Sequence, residues 1–223
     1  MIGFACIVMG LSLFMTKARS GIGAFALGSV LAAWTVFRRQ QSRAAKAAVL
    51  ASFLLLLVGA MGWAGVDTLA GKFVSADAME STGFRMGIWK DTVGIIRRFP
   101  LTGTGFDTYG VATNIYQTNR ALHFQEAHND YLQLAAEGGL LVGIPILMTL
   151  AIFVRDVRLR FREAPKGGTT YWLRVGAVVS LVSIALQSFV EFSLQMPGNA
   201  AFFAVLAAIA LHQSPNLRTS AGR

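Results

Sequence analysis

Three side chains in this 223-residue sequence have types suited to handling an anion and a proton. Arg19 lies in TKARSG, Arg85 near the start of FRMGIWKDTVGIIRRF, and His128 in AHNDYLQLAAEGGLLVG. A guanidinium offers a rigid fork of donors that matches phosphate oxygens and stays charged. A neutral imidazole, with an unperturbed pKa of about 6.5, can take a proton from a hydroxyl. Each residue also has an ordinary reading. Arg19 can be an interfacial anchor that snorkels outward. Arg85 can be a surface charge, although a helix start disfavours cations and so hints at an anionic partner. His128 can simply cap or hydrogen-bond. His123 stands five residues before it, neither i+3 nor i+4, which argues against a zinc site. Glu191, in SFVEFSLQMPGN, adds an acid near the end of an apolar run.

The elements that must position these groups follow from composition. Hydrophobic residues make up 54% of the chain and charged ones only 14%, with a mean hydropathy of +0.55. Soluble domains are nearer 45–50% apolar and about 25% charged. The apolar residues fall into long runs, at about 1–16, 21–37, 47–64, 138–154, 174–192 and 197–213. The expected fold is therefore an all-α polytopic membrane protein with about six transmembrane helices. The single cysteine, Cys6, lies in an apolar run and excludes a disulfide scaffold. Met1 opens straight into an apolar run with no basic residue before it, unlike a signal peptide. It suits a start inside a longer protein or a chain lacking earlier spans.

A net charge of +9 does not indicate nucleic acid, because the bases cluster beside apolar runs. Arg38, Arg39, Arg43 and Lys46 follow the second run; Arg155, Arg158, Arg160, Arg162, Lys166 and Arg174 follow the fourth. Both clusters are expected on the cytoplasmic side. Residues 1–64 then form three spans, 65–137 one large outer loop, 138–213 three further spans, and 214–223 a cytoplasmic tail. The loop holds six Lys/Arg against eight Asp/Glu, which agrees with that orientation.

Within the loop, residues 84–99 place Met86, Trp89, Val93 and Ile96 on one stripe, with Arg97 and Arg98 in the last turn before Pro100. Such a helix lies in the membrane interface or packs on neighbouring spans. Gly103 and Gly105 either turn the chain between helices or let it approach phosphate; the turn is favoured. Asn129 or Asp130 caps the next helix, and Gly138–Gly139 let it bend into the membrane. Two arginines and a histidine beside lipid on one aqueous side suggest recognition of a lipid-linked phosphate. Trp89, Tyr109, Tyr116, Phe124 and Tyr131 either stack on sugars or pack.

AHNDYLQLAAEGGLLVG, preceded by RMGIWKDTVGIIRRFPLTGTGFDTYG and followed by FVEFSLQMPGNAAFFAVL, resembles the C-terminal half of the O-antigen ligase and polymerase superfamily. TKARSG is similar to the Ser-Arg-Gly element those proteins carry before their large periplasmic loop. The likeness covers roughly residues 10–213 in order. It implies a GT-C-like glycosyltransferase of the bacterial inner membrane, active on the periplasmic face. The donor would be an undecaprenyl-diphosphate-linked glycan, and no cofactor, metal or nucleotide sugar is expected. Arg19 and Arg85 match the arginines that hold the donor diphosphate, and His128 matches the histidine that serves the acceptor. That acceptor is lipid A core in a ligase, a growing glycan in a polymerase, or protein in an O-oligosaccharyltransferase; ligase is favoured. Members usually carry more spans than the six seen here. A transporter, or a non-catalytic partner subunit, is the alternative of another class. A transporter would place charges in mid-span, whereas these spans are almost free of them.

Overall fold

The computed structural model describes residues 19–39, 42–44, 46–47, 76–118, 124–163 and 168–213. Most of the expected spans 1–16 and 47–64, His123 and the 214–223 tail lie outside them. The described residues contain six α-helices, one short 3-10 turn and no strand. The helices are α1 (Arg19–Arg39), α2 (Ala76–Arg98), α3 (Tyr109–Tyr116), α4 (Asp130–Glu163), α5 (Thr169–Gln187) and α6 (Pro197–Leu211), with the 3-10 turn at Ser193–Gln195. The chain divides into two compact units, Met1–Phe84 and Arg85–Arg223, so the second begins inside α2.

In the first unit, α1 covers the expected second span, with its apolar stretch at Ala26–Thr35. Its last turn is basic, and the Arg38 guanidinium lies 5.3 Å from the Trp34 ring centroid. A cation there suits both the helix dipole and the aromatic face.

In the second unit, α4 and α5 are long and apolar enough to cross a membrane. Only 6% of α4's apolar window is buried, as suits a helix solvated by lipid rather than a soluble core helix. The fifth span was expected over 174–192, but α5 runs from Thr169 to Gln187. Ser188 leaves the helix, and its carbonyl accepts the Asp130 amide proton at 2.9 Å, tying the end of α5 to the start of α4. Residues 188–192 therefore form turns that carry Glu191.

At the opposite end, Arg174 is not a loop charge. It lies inside α5, buried, and donates to the carbonyls of Arg160 (2.9 Å), Ala210 (2.8 Å) and His212 (2.6 Å). Those carbonyls lie near the C-terminal ends of α4 and α6, where the last four have no intrahelical donor. The three helices thus run up, down and up. Val157, Ala177, Leu181, Leu206 and Ala210 pack between them.

α4 is broken at Gly139 (φ 55°, ψ −159°), where the sequence predicted a bend. The amides of Leu140 and Leu141 donate instead to the carbonyls of Pro100 and Leu101, each at 2.9 Å. In return, the carbonyls of Ala136 and Glu137 accept from the amides of Thr104 and Gly105, also at 2.9 Å. Gly103 and Gly105 have positive φ, so this glycine pair makes a turn, and it is docked on the break. A Cβ at Gly139 would lie 2.6 Å from Gly103 N and Leu101 O, and one at Gly103 would fall on the Glu137 carbonyl. Both contacts require glycine.

The loop elements have their own small core of Ile88, Ile95, Tyr109, Ala112, Ala127 and Ala136. The expected stripe of Met86, Trp89, Val93 and Ile96 is not the buried one. Ile88, Thr92 and Ile95 face inward, while Met86 is exposed. Thr92 is tolerated there because its hydroxyl donates to the Ile88 carbonyl (2.7 Å) and shares a 2.6 Å hydrogen bond with the Tyr109 hydroxyl. α2 thus packs on the loop segments between itself and α4, rather than on the spans that the sequence offered as its neighbours.

Candidate functional site

His128 stands two residues before α4, on a segment held from both sides. Asn129 is the N-cap: its side-chain oxygen accepts the Leu132 amide proton at 3.0 Å. One turn on, the Gln133 side chain accepts from the Ala127 amide (2.9 Å) and donates to Gln195 (3.0 Å). The Trp89 indole donates to the Ala127 carbonyl at 2.9 Å. Thr113 donates to the Phe124 carbonyl at 2.7 Å, anchoring the segment to α3. With its neighbours fixed, His128 itself adopts φ +49°, a left-handed conformation uncommon outside glycine. Such a conformation costs of order 1–3 kcal/mol and persists only where the surroundings impose it.

The reversal between α5 and α6 is locked onto the same place. Asp130 accepts from the Leu194 amide (3.1 Å) and from the Gln195 side chain (3.2 Å). This brings Glu191 between two of the residues singled out from sequence. Arg85 Nη2 donates to Glu191 Oε1 at 3.0 Å, and His128 Nδ1 lies 3.8 Å from Glu191 Oε2. The first is a hydrogen-bonded ion pair; the second is too long for a hydrogen bond. His128 Nδ1 is buried with no hydrogen-bond partner, although about a third of the side chain is exposed, so the exposed part of the ring lies away from Nδ1. Phe192 meets the imidazole edge-on, with centroids 5.2 Å apart.

Arg85 and His128 therefore share one carboxylate. Arg19 opens α1 in the other unit, and its side chain lies outside what is described. Glu191 is the residue whose partnership linear reasoning missed: it is 106 positions from Arg85, and no spacing links them. Among the described residues, no three His, Cys, Asp or Glu side chains are grouped as metal ligands.

Four of the five aromatics in this region act in packing. Trp89 holds the Ala127 carbonyl, Tyr109 is fully buried, Tyr116 stacks edge-on with Phe99, and Phe124 packs on the loop core. Burial pushes the Tyr109 hydroxyl up to about 12 from its ordinary 10, with the Thr92 hydrogen bond opposing. Tyr131 remains exposed on one side, while its hydroxyl donates to the Ala185 carbonyl at 2.7 Å.

Two helices long and apolar enough to cross a membrane, with a polar cluster at the end opposite the buried Arg174, mark a helical membrane protein. The family model described as O-antigen ligase matches residues 4–147, well over half of the sequence, and the chain belongs to that family. The match reaches into α4; α5, the reversal bearing Glu191, and α6 lie beyond it. No curated protein and no solved structure matches the chain.

Proposed function

We propose that this chain is a multi-pass glycosyltransferase of the bacterial inner membrane, acting on the periplasmic face. It moves a glycan from an undecaprenyl-diphosphate carrier to an acceptor hydroxyl of the lipid A core. The observation that carries this reading is the meeting of Arg85 and His128 at the Glu191 carboxylate. Family membership supports the reaction type and the lipid-linked donor.

In the resting site Glu191 neutralises Arg85. A diphosphate arriving beside Arg85 offers more negative charge and a better match to the guanidinium fork, and takes Arg85 over. Glu191 is then left to accept a hydrogen bond from His128 Nδ1–H, which orients the ring. The opposite side of the ring accepts the proton of the acceptor hydroxyl as its oxygen attacks the anomeric carbon. The anomeric carbon–oxygen bond breaks, and its electron pair leaves on the diphosphate, where Arg85 stabilises the charge. The displacement is direct and inverts the anomeric carbon, and a good leaving group held by a guanidinium needs no metal.

A strain lacking this gene tests the proposal when complemented with the wild-type chain or with His128→Ala. Lipopolysaccharide is run on a gel and lipid-linked glycans are extracted. The wild type restores capped lipopolysaccharide; His128→Ala, inserted at equal level, leaves bare core and accumulated long lipid-linked polymer. Core capped by a single repeat would identify a polymerase. Normal capping by a stably inserted His128→Ala would overturn the mechanism.

A further inference from the structure

The docked 100–106 turn has exposed apolar side chains, and the hydrogen bonds that hold it fix its level against the span. The Leu101 carbonyl is bonded to the amide of Leu141, and the Pro100 carbonyl to that of Leu140. Leu140 and Leu141 open the apolar run of α4 and are themselves exposed, Leu141 at 70%. Leu101 is 67% exposed and Phe106 64%. At the other end of the turn, Gly105 is bonded to Glu137, on the far side of the Gly139 break. The turn therefore straddles the level at which α4 changes from polar to apolar. Val111 and Ile115, four apart on α3, are also apolar and exposed, at 65% and 62%.

We infer that this turn is a membrane wedge: Leu101 inserts into the acyl chains of the leaflet that α4 enters at Leu140, while Phe106, next to Gly105, lies at the polar edge of that leaflet. Continuity with the lipid-facing span selects the occupant. A side chain on a carbonyl bonded to the Leu141 amide shares that residue's depth, and an exposed leucine there is stabilised by hydrocarbon and not by water. The glycines make the device possible, because positive φ at Gly103 and Gly105 folds a short turn tightly enough to bond at both ends. The inference depends on α4 being a span and not on any transfer chemistry.

Site-directed spin labelling tests it in the full chain reconstituted in lipid nanodiscs. Cys6 is the only cysteine, so Cys6→Ser gives a clean background for Leu101→Cys, Phe106→Cys and, as an exposed polar reference, Gln125→Cys. Ile115→Cys provides a second apolar site should either turn variant misfold. The wedge predicts that a label at 101 collides with oxygen several-fold more than with a water-soluble nickel chelate, that the ratio reverses at 125, and that 106 falls between the two. Nickel collisions dominating at all three positions would place the turn in water and overturn the inference. Immobilised labels shielded from both reagents would overturn it too, showing that protein covers the surface.

Discussion

At each end of the α4–α5–α6 bundle a charged side chain reaches across helices, but the two are satisfied very differently. At one end Arg174 is buried at 2% exposure, with three backbone carbonyls as acceptors at 2.6–2.9 Å. Its partners are helix-end carbonyls that no rotamer change can withdraw. At the other end Glu191 holds Arg85 at 3.0 Å and stands 3.8 Å from His128. All three side chains there are partly exposed, and His128 combines a left-handed backbone with a buried nitrogen lacking a hydrogen-bond partner. One end spends its charge on holding helices together; the other keeps its charges exchangeable. An arrangement that tolerates strain and an unpaired buried donor is characteristic of a site whose partner arrives from outside.

The largest effect that tests this contrast is on stability. Arg174→Ala removes three charge-assisted bonds from the α4 and α6 ends and is expected to cost about 3–5 kcal/mol, since bonds to charged groups are worth about 1.5–3 each and the freed carbonyls recover part by hydration. Unfolding by sodium dodecyl sulfate in mixed micelles measures it. Arg85→Ala, by contrast, breaks a partly exposed ion pair and should cost no more than about 1 kcal/mol. Equal losses from the two would erase the distinction between the ends.

Next in size is an alkaline effect in the loop core that supports His128. Tyr109 is raised to about 12 by burial, above the unfolded value of 10. The fold therefore favours the protonated phenol: its contribution is fully present below pH 10 and is lost as pH rises through 12. Two pKa units correspond to about 2–3 kcal/mol. Melts of the purified chain between pH 9 and 12 should lose stability in that window, and Tyr109→Phe should remove that part of the loss. An unchanged pH dependence in Tyr109→Phe would mean that the phenol is solvated.

How much of this was legible in the sequence depends on what kind of signal each feature leaves. α4 and α6 were readable because uninterrupted apolar runs register in hydropathy, and the Gly138–Gly139 bend because only a broken helix needs that pair. The end of α5 was not: Phe189, Val190 and Phe192 keep the run apolar, while the Asp130 amide holds the Ser188 carbonyl and the Asp130 carboxylate holds Leu194 and Gln195 of the reversal that follows. The inward face of α2 was displaced by one position because Thr92 does not count as apolar. Arg174 read as a loop base, since its three acceptors come from two other helices. His128 and Arg85 were singled out by chemical type and family resemblance. Their common partner was hidden because Glu191 reaches them only through the α5–α6 reversal.

The smallest expected stability changes separate strain from chemistry at the site itself. His128→Gly should be more stable than His128→Ala by about 1 kcal/mol, because glycine accepts the left-handed backbone that alanine resists. Glu191→Gln should shift stability by less than about 1 kcal/mol, the ion pair being partly exposed, yet reduce glycan transfer roughly 100-fold, since a neutral amide holds His128 less firmly and polarises it less. The comparison that decides is between the two readouts in one variant. If Glu191→Gln lowers stability and leaves transfer intact, Glu191 is a strut like Arg174. If transfer falls while the melt is unchanged, the carboxylate works through His128. A double variant with His128→Ala should then show no further loss, because the two residues act as one unit.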